Sequence, residues 1–388
     1  MKKLFALFMA LCICLFSFAG CSTSPDDGTS KKQSERSESS GTATDHDGKE
    51  AKYKIGILYW GYTDPTGASV KKYLEYVGEA FNCELVFAEA FNADALVAAT
   101  ENLIQSGCDG IISVFAYAGM IDACEKAGVY FMQTQNEVID ESTLALIKNS
   151  KYFVGMITED DFKCGYSEAE SLYDIGSRNV VYLAPAPGIA NHDNRVRGIE
   201  AFVEEHPDMV LLSNYRGDEY GEALQNFAVT YPEIDGIILT GGAAGSTETV
   251  YQVMETEGLS ERGVKLSTAG IGEGTLERFE NGQLASIRGG HFPTVGIGFT
   301  LLYNALNGDK IISDPTKTLY RPFLEINSAE EFKNFSKYVE GEIPPYTGDE
   351  LKQLVKEYNP DVTESLYQEW ADAYSLEDII ARHGSLIN

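Results

Sequence analysis

From Lys54 onward, short apolar runs alternate with amphipathic stretches almost without interruption, and the whole rhythm repeats after about Asn179. Lys54-Ile55-Gly56-Ile57-Leu58-Tyr59 reads as a strand, followed by a helix through Val70, Leu74 and Val77. Leu85-Val86-Phe87 precedes a helix from Ala95 to Ile104, and Gly110 to Val114 precedes one around Met120 to Lys126. Val129 to Met132 is the next strand. In the second half, Asn179 to Ala184, Met209 to Ser213, Gly236 to Leu239 and Val264 to Ala269 are each followed by a helical stretch. Strands that are apolar at nearly every position are buried on both faces, which happens when helices cover both sides of a parallel sheet. Two such sets predict an α/β chain of two doubly wound parallel-sheet lobes.

Open parallel sheets bind their ligands outside the carboxyl ends of the strands, so the loops after the strands carry the chemistry. One of them, Gly241-Gly242-Ala243-Ala244-Gly245, lies between a buried strand and a helix start. A phosphate cradle there would need a lysine or a GxGxxG spacing, and neither is present. The glycines are read instead as a pocket wall cleared of side chains, open to backbone N–H contacts. Nor does the loop after Gly56-Ile57-Leu58-Tyr59 carry a dinucleotide fingerprint. No Ser-His-Asp set or pair of catalytic carboxylates can be placed, so the chain is not expected to be an enzyme or to need a cofactor.

Lys2 and Lys3 precede the apolar run LFALFMALCICLFSFAG and then Cys21. The run is too short and wrongly flanked for a lasting membrane span, and it fits an export signal over residues 1–20. Phe18-Ala19-Gly20-Cys21 resembles a bacterial lipobox, with Cys21 lipidated; the small residues alone would also suit ordinary secretory cleavage. Several acyl chains on one residue give the two-signal anchoring that a single chain lacks. Residues 21–52, rich in Ser, Thr, Asp, Glu, Gly and Lys, read as a flexible linker. An extracytoplasmic body tethered by lipid follows. The formal net charge of the whole sequence, −29, argues against nucleic acid and anionic membrane surfaces as partners. Cys83, Cys108, Cys124 and Cys164 show no metal-ligand spacing and are read either as bridges or as buried thiols.

Three segments carry a family resemblance. "LIQSGCDGIISVFAYAGMIDACEKAGVYFM", "DNRVRGIEAFVEEHPDM" and "ENGQLASIRGGHFPTVGIGFTLLYNALNG" occur in the order and spacing of the type I periplasmic binding proteins of the ribose-binding kind. The resemblance spans roughly Tyr53 to Ile326. It implies an exported, monomeric receptor that passes a small solute, usually a sugar, to the permease of an ABC transporter. An alternative with the same fold is a sensory co-receptor presenting its ligand to a membrane kinase or chemoreceptor. The implied lobes are residues 53–156, completed by 292–318, and 157–291. Three crossings, near Gly155, His291 and Tyr320, would form the hinge. Residues 319–388 are the hinge return and a helical C-terminal extension, whose place the sequence leaves open.

The resemblance also implies a ligand set. On the first loop it comprises Tyr59, Trp60, Tyr62 and Asp64, the aromatic rings stacking on sugar C–H faces or packing at the lobe edge. Phe115 follows the third strand, and Gln135-Asn136 stand where the family usually has Asp-Arg. Arg195 matches the arginine that forks onto ligand oxygens, whereas Arg197 reads as a surface ion pair. Gly241-Gly242 replace Asn-Asp, Gly272 replaces a later Asp, and His291 falls at a hinge-side glutamine. With so few acceptors and with glycine walls, the expected ligand is larger or less hydroxyl-rich than ribose. No metal is expected.

Overall fold

The computed structural model describes residues 51–387 except 243 and 244. The expected signal, Cys21 and the linker up to residue 50 lie outside the described residues. Lys52, expected at the end of the linker, already belongs to the body. Its N–H donates to the Asn82 carbonyl at 2.8 Å and its ammonium pairs with Glu357 at 2.6 Å.

The first half alternates as expected: Tyr53–Tyr59 (β1), Pro65–Ala80 (α1), Cys83–Glu89 (β2), Ala93–Gln105 (α2), Gly110–Ser113 (β3), Ala118–Ala127 (α3), Tyr130–Thr134 (β4), Glu141–Asn149 (α4) and Phe153–Glu159 (β5). The second half follows the same rhythm. It comprises Asp161–Asp174 (α5), Asn179–Ala184 (β6), Ala190–Glu205 (α6), Val210–Arg216 (β7), Tyr220–Thr230 (α7), Gly236–Leu239 (β8), Ser246–Thr256 (α8), Lys265–Thr268 (β9), Thr275–Glu280 (α9) and Leu284–Gly289 (β10). Then come Thr294–Leu306 (α10), Thr318–Arg321 (β11), Leu324–Ile326 (β12), Ala329–Tyr338 (α11), Gly348–Lys352 (α12), Glu364–Asp372 (α13) and Leu376–His383 (α14).

These elements build two six-stranded sheets, in the orders β11-β5-β4-β3-β1-β2 and β12-β10-β9-β8-β6-β7. The first is parallel throughout; in the second, β12 runs antiparallel to β10. Two doubly wound lobes therefore stand as expected, with one reversed edge strand. The described residues belong to one compact unit.

The chain passes between the sheets in three places: at Asp160 after β5, at Gly290–Pro293 after β10, and at Pro322–Phe323 between β11 and β12. The first differs from the expectation. Gly155 lies within β5, opposite Met132 of β4, and all of Phe153–Glu159 is buried in the first sheet. A boundary at 156 would cut that strand in half, so the lobe runs on to Glu159. The other two passages adjoin His291 and Tyr320.

Helix α10 is buried from Thr294 to Ala305, because one side lies on β3, β4 and β5 while α1 and α12 cover the other. Its polar groups are met by the C-terminal extension. The Asn304 amide donates to the Leu354 carbonyl at 2.8 Å and to the buried Tyr367 hydroxyl at 3.0 Å. That hydroxyl donates in turn to the Leu354 carbonyl at 2.7 Å. The extension touches both lobes. α11 packs on α9 and β12 of the second, α12 on α1 and α10 of the first, and α13 on β11. The Tyr374 hydroxyl closes this arrangement by donating to Gly290 O, at the second crossing, at 2.7 Å.

Candidate functional site

Both sheets turn their carboxyl ends toward the crossings, and there the two lobes meet. In the first lobe, Tyr59 ends β1 and Gln135 follows β4. The Tyr59 hydroxyl donates to Gln135 Oε1 at 2.8 Å, and Gln135 Nε2 donates to the His291 carbonyl at 3.3 Å. Gln135 holds φ at 59°, a left-handed backbone uncommon for a residue with a Cβ, and its N–H is fixed on the Ile157 carbonyl at 2.8 Å. Such local strain persists where surrounding bonds over-determine it, as they do here. Tyr59, Gln135 and His291 are thus joined in one hydrogen-bonded track at or just beyond the ends of β1, β4 and β10.

The aromatic residues of the first loop split in role. Trp60 stacks on Tyr59, with ring centroids 4.0 Å apart, and its Nε1 donates to Asp64 Oδ2 at 3.0 Å. Tyr62 packs inside its lobe, its hydroxyl donating to the Ile57 carbonyl at 3.0 Å. Asp64 departs from the expected ligand contact: Oδ1 caps α1 by accepting from the N–H groups of Thr66 and Gly67, and Oδ2 holds Trp60. Pro65 starts the helix where no N–H is needed, so the cap satisfies the next donors. Phe115 packs against two hydrophobic clusters, one confined to the first lobe, and the Asn136 side chain turns back to accept from the Glu137 N–H at 2.9 Å.

In the second lobe Arg195, expected as the ligand clamp, is held in a buried ion pair. Its Nε donates to Asp161 Oδ1 at 2.7 Å, its Nη1 donates to the Thr240 carbonyl at 2.6 Å, and the guanidinium stands 5.0 Å from the Phe323 ring. Three elements therefore aim this side chain: the end of β8, the start of α5 and the third crossing. Arg197 is exposed and donates to Asn194 Oδ1 at 2.9 Å.

The glycines do not serve as cleared wall. A Cβ at Gly242 would lie 2.7 Å from Tyr220 and 2.8 Å from Ser246 Oγ, and one at Gly272 would lie 3.0 Å from Thr247. These positions lack side chains because their own lobe packs against them. Gly241 needs glycine for its backbone, with φ at 91°, and it stands beside Arg195 and His192. Room in the cleft cannot be credited to these residues.

Several contributors were not legible as site residues. Glu137 receives the Asn194 amide from the other lobe at 2.8 Å, the Tyr320 hydroxyl at 2.5 Å and the Thr318 hydroxyl at 3.3 Å. Glu159, buried at the end of β5, accepts from Thr294 and lies 3.8 Å from the fully buried Arg321. An acidic Glu159-Asp160-Asp161 run at the end of an apolar stretch was the available signal. Burial raises the Asp161 carboxyl, and Arg195 opposes that shift. Burial, with Arg195 and Arg321 nearby, lowers His291 to about 3, so it is neutral at pH 7.

A pattern in hydrogen bonding follows. Thr158 Oγ1, Thr268 Oγ1, His291 Nδ1 and Arg321 Nε and Nη1 are buried, and no partner reaches them among the described residues. These four residues stand at or within two residues of the carboxyl ends of β5, β9, β10 and β11, whereas Glu168, Tyr251, Arg382 and His383, which also carry buried atoms without a partner among the described residues, stand on helices. Leaving such groups unpaired costs about 1–3 kcal/mol each. By contrast, no cluster of His, Cys, Asp or Glu among the described residues is arranged to hold a metal ion. The four described cysteines are free thiols, Cys108, Cys124 and Cys164 of them buried. No described helix is long and apolar enough to cross a membrane.

Two parallel-dominated lobes, joined by three crossings beside a polar cleft, define a two-lobed binding protein of the type I periplasmic kind. The chain belongs to the periplasmic binding protein domain family, whose model matches residues 55–310. That is a family of substrate-binding proteins and not of enzymes. The chain is 26% identical over 180 residues to a xylitol-binding protein of Mycolicibacterium smegmatis (strain ATCC 700084 / mc(2)155). That match covers 43% of this chain and 49% of the relative, about half its length. Among solved structures it resembles an ABC transporter periplasmic solute binding protein from Actinobacillus succinogenes 130z with bound D-allose. The TM-score is 0.63 at 21% identity, covering 73% of this chain and 100% of that one. A periplasmic sugar-binding protein from Pseudomonas fluorescens gives a TM-score of 0.68 at 14% identity, over 84% and 99%. At these identities the two structures speak to the fold.

Proposed function

We propose that the protein captures a neutral sugar or sugar-derived polyol outside the cytoplasmic membrane and delivers it to an ABC importer, while lipid on Cys21 holds it to the membrane. The observation that carries this reading is the set of buried, unpartnered donors and acceptors at the carboxyl ends of β5, β9, β10 and β11. A polyhydroxylated guest both donates and accepts at each oxygen, so one molecule can satisfy several of them. The Tyr59–Trp60 stack adds an aromatic face suited to sugar C–H bonds. The xylitol and D-allose named for the two relatives are ligands of the same chemistry.

Capture works by bending at the three crossings. A ligand that touches Gln135 and His291 on one side and Arg195 on the other gains its full contacts only in the closed form, and so shifts the population toward it. The test is a thermal-shift panel of sugar alcohols, pentoses and hexoses beside amino acids and nucleobases. A cognate sugar at a hundredfold over its Kd raises stability by about 2.7 kcal/mol. Shifts with amino acids or bases, and none with any sugar or polyol, overturn the reading.

A further inference from the structure

Polarity is unevenly distributed along the cleft edge of the first sheet. The strand order places the ends of β11, β5 and β4 on the hinge side, with Arg321, Glu159, Gln135 and Glu137. The ends of β3, β1 and β2 lie on the far side, and there the loops carry rings. Phe91, just after β2, is 71% exposed, and Tyr117, after β3, is 42% exposed. Phe115 stands between them, 6.2 Å from Phe91 edge-on and 6.3 Å from Tyr117 in a stacked arrangement. The opposite jaw shows the same bias. Ile189, 40% exposed, lies on the loop after β6, and β6 holds the place in the second sheet that β1 holds in the first.

Isolated exposed apolar residues need no explanation, but Phe115 in contact with both Phe91 and Tyr117, across the loops after β2 and β3, forms a surface. Fully buried aromatic side chains cover roughly 150–250 Å² each, so three partly buried ones offer a few hundred Å² at most. That falls short of the ~800 Å² per partner in a stable protein interface. It matches one flat group of a small ligand. The exposed carboxylates Glu89 and Asp94 flank the rings and disfavour an anionic group.

We infer that the ligand is amphipathic: a glycoside whose polyol end faces the hinge and whose neutral, flat apolar aglycone rests on Phe91, Phe115 and Tyr117. This rests on the sugar reading above and names the class of sugar derivative. Binding such a group removes exposed ring surface from water and adds ring stacking.

The experiment is calorimetry on the full chain with pentoses and hexoses, each beside its phenyl glycoside. At least one phenyl glycoside is expected to bind about tenfold or more tightly than its parent sugar. Phe91→Ala and Tyr117→Ala are each expected to weaken that glycoside several-fold more than the parent. Parent sugars that bind as tightly as every phenyl glycoside overturn the inference and leave the sugar reading standing. So does an equal loss for both ligands in the two variants. Absence of binding by sugars and glycosides alike removes the sugar reading itself, and this inference with it.

Discussion

Asn194 of the second lobe donates its side-chain amide to Glu137 of the first, at 2.8 Å, while Tyr320 and Thr318 on β11, just before the third crossing, donate to the other oxygen of the same carboxylate. One side chain thereby ties both lobes and the strand that leads into the third crossing. Hydrogen bonds to charged groups contribute about 1.5–3 kcal/mol. This one is half-buried, so a value near the low end applies. Asn194→Ala should weaken sugar binding about tenfold, mostly through faster release, since interface changes act chiefly on dissociation. Stopped-flow fluorescence would read this; an unchanged release rate would show that the bond does not hold the closed form.

Arg195 pairs with Asp161, and the ligand contact proposed for it separates from that pairing by mutation. Arg195→Ala leaves Asp161 buried without its partner, which costs about 3–5 kcal/mol of stability. Replacing both, as in Arg195→Met with Asp161→Leu, should recover most of that stability in urea melts, yet calorimetry should still detect no binding. Arg197→Ala, at an exposed position, should alter both by little. A double variant that regains binding would confine Arg195 to a structural part.

Glu168 on α5 is fully buried, and no hydrogen-bond partner reaches either oxygen among the described residues. Burial pushes its carboxyl up to about 8 from 4.5, against the pull of Arg195 and Arg288. The sign is that of an acid held neutral. Between pH 4.5 and 8 the unfolded chain loses a proton that the folded chain keeps, so stability falls as pH rises through this window. The slope is at most about 1.4 kcal/mol per pH unit. Glu168→Gln should flatten the curve and be the more stable form at pH 8. Denaturant melts across pH 5 to 8 that run parallel for both proteins would contradict this.

Cys21 is the point of the proposed tether. Cys21→Ala should move the protein from the membrane fraction to the medium or soluble extract, with ligand binding retained. Continued sedimentation with membranes would count against lipidation.

The rhythm of apolar strands and amphipathic helices was legible because each element is set locally, by periodicity and burial on both faces. The limit of β5 was not. Glu159 reads as the end of an apolar run, and its burial in the first sheet depends on Arg321, far along the chain. β11 and β12 are short edge strands, Thr318–Arg321 and Leu324–Ile326, that carry no run to detect. Within the site, residue type was visible and engagement was not. Asp64 has the chemistry of a ligand acceptor, yet the N–H groups of α1 take it, and Arg195 needed Asp161 to fix its aim. The glycines misled for the same reason, since only the neighbours Tyr220 and Thr247 show why Gly242 and Gly272 lack side chains.

The C-terminal extension grips the second lobe through α11 and the first through α12, and Pro344 and Pro345 stiffen the short segment between these helices. Mechanically, this is a strut set beside a three-strand pivot. Three flexible ties close together allow two bodies to twist as well as bend. A fourth attachment, seated at the second crossing by Tyr374 and reaching out to α9 and α1 on either side, would oppose the twist. Under the proposed closure such a strut, braced by α14 through the Arg382 and His383 bonds to Glu350, would confine the jaws to one path.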